Sequence, residues 1–474
     1  MTRPLRDPLA GHSTVAVLGL GAAGLGACRL LLALDKRVVA SDANPALDTS
    51  RLPPGLDLRL GRNDIGDATA VVVSPGLNPT WPENQRKEDL APIWEAWKQG
   101  QIELWSEIEL AAAAFDGHVL SIGGTDGKST TAAMTAHLLK GWGVDACLAG
   151  NSWTPFSAHL ADGLRPEVAV LEVSAFQLWE PHRFHPDVAV LTNIAPDHLD
   201  HFASEADYVG AKRSVFRNLG AGDTVVLFAD DLRLGSWVNP LREAGVRVAG
   251  YSLHRVGRGY EQRGTVGFAG DEPALILDPD PFRLGAIPVS DLPVLGTHNQ
   301  KNALAALLAA SSLPLAAPRI GRDVTRRAFA SFKGLPHRVE LVRERKQVRF
   351  LDDSKATNVH AALAGIKSLE APLVTIVGGV DKGLELAPLI EELARRARHV
   401  VVIGQIRSRF VAEAAGRIAS IETALTMEDA VDKAAARARP GDIVLLAPAC
   451  SSFDMFRGFE HRGEVFAAAV NALP

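Results

Sequence analysis

Short apolar runs recur along the chain, each ending in a glycine-rich or polar turn and followed by a helix-length stretch. Runs of four or five apolar residues bounded by turn signals read as strands buried on both faces. The first, Val15–Leu18, leads into Gly19-Leu-Gly-Ala-Ala-Gly24 and an apolar helix through Leu34. Strands follow at Arg37–Ala40, ending at Asp42, and at Ala70–Val73, ending in Ser74-Pro75-Gly76. A second segment starts near Glu107. Its strand His118–Ile122 runs into Gly123-Gly-Thr-Asp-Gly-Lys-Ser-Thr130 and a helix through Leu139, with further strands at Val168–Leu171 and Val188–Leu191. The stretch between Arg255 and Pro293 is rich in Gly, Pro and Asp, and a local antiparallel patch is expected there. A third segment opens at Gly334-Leu-Pro-His-Arg338 and holds runs at Val348–Leu351, Leu373–Val377, Val400–Ile403 and Ile443–Leu446. Amphipathic stretches such as Leu389–Arg398 and Asp429–Ala438 separate them. Strands alternating with helices imply parallel βαβ units. The expectation is an α/β chain of three domains, 1–106, 107–334 and 335–474.

Composition narrows the partners. The 474 residues are 47% apolar and 22% charged, as in ordinary globular proteins, and too many for a single core. Fifty basic against fifty-five acidic side chains leave a net charge of −5, without the basic footprint of nucleic-acid binding. An anionic ligand must therefore be held by local devices. Cys28, Cys147 and Cys450 are odd in number and far apart, which suits buried thiols in a reducing compartment. Val15–Leu34 has the length of a membrane span, but Arg29 and four glycines fit strand, turn and helix better. No leader pattern is present, so a soluble cytoplasmic protein is expected.

The strongest chemical signal is Gly123–Thr130 between a strand and a helix. Glycines let backbone N–H groups close around phosphate oxygens, and the helix start adds a favourable dipole. Lys128 can reach the terminal phosphates and Ser129 can ligate Mg2+. The spacing departs from the general phosphate loop, since Ile122 stands five positions before Gly127. Gly19–Gly24 with Asp42 resembles a dinucleotide fingerprint, open to a nicotinamide cofactor, another nucleoside diphosphate or plain strand–helix packing. Glu172 ends a strand in the phosphate-loop segment and is placed for a second magnesium contact. Asp197, His198 and Asp200 crowd three ligand or acid–base groups into four residues. Asn299 and Asn302 open a helix, where side-chain amides either cap it or read a base edge. In the third segment Asp352–Asn358, Gly378–Gly383 and Ala447–Phe453 all follow strands, forming a candidate carboxylate-binding floor.

Taken together and in this order, Gly-Thr-x-Gly-Lys-Ser-Thr, Asp-His-x-Asp, His-Asn-x-x-Asn, Gly-Leu-Pro-His-Arg, Asp-Ser-Lys-Ala-Thr-Asn and Ala-Cys-x-Ser resemble the Mur ligase family, from Gly19 to Gly463. The resemblance implies a Rossmann-like UDP-binding domain, a central P-loop ATPase-type sheet and a Rossmann-like C-terminal domain. It implies a monomeric, cytoplasmic ATP- and Mg2+-dependent ligase that joins glutamate to UDP-N-acetylmuramoyl-L-alanine. By this resemblance Gly21, Ala22, Ala23 and Asp42 surround the uridine diphosphate, with Asn151, Ser174 and Gln177 near the rest of that substrate. Gly124, Thr125, Asp126, Gly127, Lys128, Ser129, Thr130, Asn299, Asn302, Arg338 and Asp353 hold ATP. Ser129 and Glu172 bind one Mg2+, and His198 with a carbamylated Lys212 binds a second. Lys128, His198, Lys212 and Lys355 are the catalytic set, and Thr357, Lys382, Ser452 and Phe459 line the glutamate pocket. Closure of the C-terminal domain is expected to bring in Lys355 and Lys382. Three positions depart from the family pattern. Asp126 replaces asparagine and is expected to weaken ATP binding, Asn151-Ser-Trp-Thr-Pro155 replaces Asn-Ile-Gly-x-Pro, and Ala175 replaces serine. The same chemistry on L-glutamate or another amino acid, a folylpolyglutamate synthase-like ligase and a non-catalytic nucleotide-binding regulator are the alternatives.

Overall fold

The computed structural model describes residues 4–474 except 179–182, 196–200, 203, 258, 295 and 382. Three sheets follow one another along the chain. The first, in order β3-β2-β1-β4-β5, is all parallel and uses β1 (Thr14–Leu18), β2 (Arg37–Asp42), β3 (Asp57–Leu60), β4 (Ala70–Val73) and β5 (Glu103–Ser106). The second has nine strands: β6 (His118–Gly123), β7 (Ala146–Gly150), β8 (Val168–Glu172), β9 (Val188–Leu191), β10 (Thr224–Phe228), β11 (Arg247–Ser252), β12 (Gln262–Ala269), β13 (Glu272–Asp278) and β14 (Ile287–Pro288). Its order is β14-β13-β12-β11-β10-β9-β6-β8-β7. The pairs β12–β13 and β13–β14 are antiparallel, which is the local patch expected between 255 and 293.

The third sheet runs β15-β16-β20-β17-β18-β19, from β15 (Glu340–Arg345), β16 (Val348–Asp352), β17 (Leu373–Gly378), β18 (Ala397–Ile403), β19 (Ile421–Thr423) and β20 (Ile443–Leu446). Only its edge pair β15–β16 is antiparallel. Central strands such as Val168–Glu172 and Val400–Ile403 are buried on both faces, as helix-covered parallel sheets require. Val15–Leu34 is indeed strand, turn and helix, and among the described residues no helix is long and apolar enough to cross a membrane. The three cysteines are buried free thiols, and burial pushes Cys450 up to about 11.

The sheets group into two compact units. One comprises residues 1–292 and 299–332, the other 293–298 and 333–474. The first two sheets therefore share a unit, and residues from both enter one apolar cluster, Val15 and Leu31 with Phe156 and Leu171 among them. Helix Ala22–Ala33 of the first sheet packs on helix Phe156–Ala161 of the second. Gly26 permits this approach, because a Cβ there would lie 2.5 Å from the Ser157 hydroxyl and 3.2 Å from the Ala158 nitrogen. Ser157 cannot yield, since both its N–H and its hydroxyl donate to buried Glu107 Oε1, at 2.8 and 2.5 Å.

Replacing Gly26 by alanine weighs two opposed effects. Alanine favours a helix interior by about 1 kcal/mol, whereas overpacking a closed contact costs about 1–3 kcal/mol. Net destabilisation is expected in urea unfolding. A variant about 1 kcal/mol more stable than the parent would show that the two helices part without cost.

Candidate active site

The second sheet brings three strand ends together. β9, β6 and β8 are neighbours, and the loops leaving their C-terminal ends carry Thr192-Asn193, the phosphate loop and Glu172. In an open parallel sheet this edge is where ligands gather. Gly124 and Gly127 adopt φ of +128° and +81°, open to glycine but strained for other residues. A Cβ on Gly124 would run into Thr192 Oγ1, and one on Gly127 would lie 2.6 Å from Asn302 Oδ1. The loop is pinned from β9. The N–H of Thr125 donates to the Asn193 carbonyl at 3.0 Å, and that of Asp126 to Asn193 Oδ1 at 2.9 Å. The Asp126 carbonyl accepts from Thr192 Oγ1 at 2.5 Å and Asn193 Nδ2 at 3.1 Å.

Helix Lys128–Gly141 starts directly from this loop with left-handed Gly127 as its cap, so its first N–H groups and its dipole favour an anion there. Lys128 Nζ donates to the Thr125 carbonyl, and buried Lys212 Nζ donates to the Gly124 carbonyl, both at 2.6 Å. Two cations thus border the loop, Lys212 with its amine 4.6 Å from the Tyr208 ring centre. Ser129 and Thr130 are buried in the first helical turn. Asn302 accepts from Thr131 Oγ1 and donates to Asn299, each at 3.2 Å, which ties helix Thr297–Ser311 to the phosphate helix. Asp126 is exposed, and its charge together with that of Asp230 opposes the burial that pushes the Lys301 amine down. A cation near Asp126 offsets part of the repulsion expected between this carboxylate and phosphate.

Glu172 is 1% exposed and accepts three side-chain hydrogen bonds, from Asn151, Ser152 and Trp153. Ser174 and Gln177 close on each other, the Ser174 hydroxyl donating to Gln177 Oε1 at 3.1 Å. Their turn, Ala175–Gln177, lies against Pro75–Leu77 of the first sheet, and Phe176 meets Trp81 edge-on at 5.0 Å. Next to that contact is a cavity of about 400 Å³ whose walls include Gly21, Ala22, Ala23, Asp42, Ser74 and Leu77. It sits where β2 and β4 flank β1, the crossover point at which open α/β sheets bind nucleotides. Asp42 also shapes the turn, since its carboxylate accepts from the N–H of Leu20 at 2.8 Å and of Asn44 at 2.9 Å.

In the other unit, β16, β20 and β17 are adjacent, so the loops 353–358 and 447–453 and the segment 379–381 leave one edge. Lys355 Nζ lies 3.8 Å from the Phe459 ring centre. Ser452 is buried and Thr357 half-buried in the same set of loops. Asp353 is almost fully buried, and burial pushes its carboxyl up to about 8, against the lowering effect of Arg338. His198 and Lys382 lie outside the described residues, as do Asp197 and Asp200.

Two residues that organise these loops were not singled out from the sequence. Asn193 pins the phosphate loop from 67 residues away. Arg462, fully buried, donates to the Ser354 hydroxyl at 2.9 Å, the Ser354 carbonyl at 2.7 Å and the Cys450 carbonyl at 2.9 Å. It ties the loop after β16 to the loop after β20. A polar residue directly after a buried strand was the available signal for Asn193; nothing local marks Arg462.

Residues 122–310 match the model of the Mur ligase middle domain, and residues 337–450 that of the Mur ligase, glutamate ligase domain. A UDP-N-acetylmuramoylalanine--D-glutamate ligase from Aromatoleum aromaticum is 38% identical, with 97% of each chain covered. The chain belongs to the Mur ligase family. Solved Mur ligases share its fold at low identity. UDP-N-acetylmuramate-alanine ligase MurC from Thermotoga maritima is 17% identical with a TM-score of 0.57, covering 97% of this chain and 99% of that one. MurF ligase from the same organism, in complex with ADP, is 18% identical with a TM-score of 0.54, covering 85% and 89%. The first sheet of this Mur ligase, with its cavity, lies outside both domain models and is matched by the full-length relative.

Asp353 gives this Mur ligase a testable pH dependence. An ordinary aspartate releases its proton near pH 3.8, whereas Asp353 holds its proton to about pH 8 in the folded chain. Between these values the folded state binds the extra proton, so stability falls as pH rises, by up to about 1.4 kcal/mol per pH unit. Asp353→Asn is expected to flatten that slope in denaturant titrations from pH 4.5 to 8. An unchanged slope would assign it to other groups.

Proposed function

We propose that this Mur ligase joins D-glutamate to UDP-N-acetylmuramoyl-L-alanine at the expense of ATP, in the cytoplasmic assembly of peptidoglycan precursors. The observation that carries the reading is the phosphate loop at the end of β6, beside Glu172 at the end of β8, in a chain matched over 97% of its length by D-glutamate ligases. ATP-dependent amide-bond formation is the chemistry of the family.

The cavity lined by Gly21, Ala22, Ala23 and Asp42 is assigned to the uridine diphosphate, and Asn151, Ser174 and Gln177 to the remainder of that substrate. Lys128, Thr130 and the backbone of Gly124–Gly127 are assigned to the ATP phosphates, with Asn299 and Asn302 on the neighbouring helix. Ser129 and Glu172 offer the hard oxygen donors that suit Mg2+. When bound, the ion would neutralise phosphate charge as the γ-phosphoryl group moves. Lys212 fits the proposed carbamate, because carbon dioxide added at Nζ leaves one N–H to keep the bond to Gly124; His198 would be its partner at a second ion. Thr357, Lys382, Ser452 and Phe459 are assigned to glutamate, and Arg338, Asp353 and Lys355 to the nucleotide from the third sheet.

The reaction follows from these groups. A substrate carboxylate oxygen attacks the γ-phosphorus, ADP leaves, and an acyl phosphate forms. Lys128 stabilises the oxygen charge that develops, so catalysis is mostly positioning and electrostatics. The glutamate amine then attacks the acyl carbon, and the tetrahedral intermediate expels phosphate to leave the amide. Phosphate release with ATP, Mg2+ and UDP-N-acetylmuramoyl-L-alanine is the test. Release is expected with D-glutamate and not with L-glutamate, and Lys128→Met is expected to lower it at least 100-fold. Release with L-glutamate alone would change the product; none with either would remove the assignment.

A further inference from the structure

The segment after β7 departs most from the family pattern, and it touches the proposed metal ligand. Gly150, at φ +104°, turns the chain so that the Asn151 N–H donates to the Glu172 carbonyl at 2.9 Å and the Trp153 N–H to the Gly150 carbonyl at 3.0 Å. That turn brings three side chains onto one carboxylate. Glu172 Oε1 accepts from Asn151 Nδ2 at 3.1 Å and from the Ser152 hydroxyl at 2.8 Å. Glu172 Oε2 accepts from the Trp153 indole N–H at 2.9 Å. A carboxylate offers about four lone-pair sites, two on each oxygen. Both on Oε1 are used, and one on Oε2 remains.

We infer that Ser152 and Trp153 are positioning residues that present Glu172 to Mg2+ through Oε2 alone. The inference rests on the reading of Glu172 as a magnesium ligand. The donors on Oε1 disfavour bidentate ligation, and the indole N–H fixes the plane in which Oε2 offers its remaining lone pair. A carboxylate 1% exposed and held at both oxygens has little freedom to turn away. Hydrogen-bond partners of metal ligands commonly set affinity in this way, and their loss costs about 10–100-fold.

The same segment continues to Ser157, which faces Gly26 on the helix of the first sheet. The presentation of Glu172 is thus built on the contact between the two sheets of this unit, and not on a free loop.

The test measures ADP affinity of the full chain by calorimetry, across a Mg2+ titration and in excess EDTA. Trp153→Phe, which keeps an aromatic ring and removes the donor, is expected to raise the half-saturating Mg2+ concentration about tenfold. Ser152→Ala is expected to raise it several-fold, and Ser152→Thr, which retains the hydroxyl, to restore it. ADP affinity in EDTA should stay at the parent value in all three, which separates the effect from general damage to the fold. In a Glu172→Gln background, Trp153→Phe should add no further shift. If Glu172→Gln shifts the Mg2+ requirement while Trp153→Phe and Ser152→Ala do not, the positioning inference is overturned and the ligand reading stands. If Glu172→Gln itself leaves the requirement unchanged, the ligand reading falls and takes the inference with it.

Discussion

The hydrogen bonds that Thr192 and Asn193 exchange with the backbone of Asp126 decide how the rest of the phosphate-loop unit is used. A loop rich in glycine has many shapes, and ordering it costs roughly 1–2 kcal/mol per residue. The end of β9 meets part of that cost by taking up donors and a carbonyl of the loop at one place. Only then do Gly124 and Gly127 hold their left-handed angles, and only then does helix Lys128–Gly141 begin where an anion benefits from its dipole. The lysines at 128 and 212 are oriented by carbonyls of the same loop. Strand order supplies the geometry: β8 and β9 flank β6, so the groups that hold the loop and the strand that ends in Glu172 come from opposite sides.

Much of this was legible in the chain. Strands with four or more consecutive apolar residues, such as Ala70–Val73, Val188–Leu191 and Ile443–Leu446, lie where their pattern placed them, because burial on both faces leaves no room for polar positions. The strands not read from the sequence include the edges. Asp57–Leu60, Glu340–Arg345 and Ile421–Thr423 are half-exposed and carry charges, so their pattern resembles a loop. Their pairing is supplied by a neighbour already in place, an effect with no local signature.

The site divides the same way. Motifs that lie contiguous in the chain, such as Gly123–Thr130, could be read because glycine, lysine and hydroxyl spacing each has a chemical reason. Side chains whose role depends on a partner far along the chain could not. Ser152 and Trp153 looked like a mere departure from a pattern until Glu172, twenty and nineteen residues on, proved to be what they touch. Nothing in the spacing around Lys212 marks it for a buried position, yet it is 3% exposed. Across the expected division between residues 106 and 107, helices Ala22–Ala33 and Phe156–Ala161 pack together inside one compact unit.

Arg462 adds a matter of timing. The loop it braces holds its partner Ser354, 108 residues earlier. A ribosome adding about 5–20 residues per second needs on the order of ten seconds to cover that distance. During that interval β16 has been made, but the loop after it has neither its guanidinium strut nor the Phe459 carbonyl that accepts from the Ser354 hydroxyl at 2.8 Å. A nascent chain therefore carries a nearly complete phosphate site well before it carries a finished third-sheet pocket.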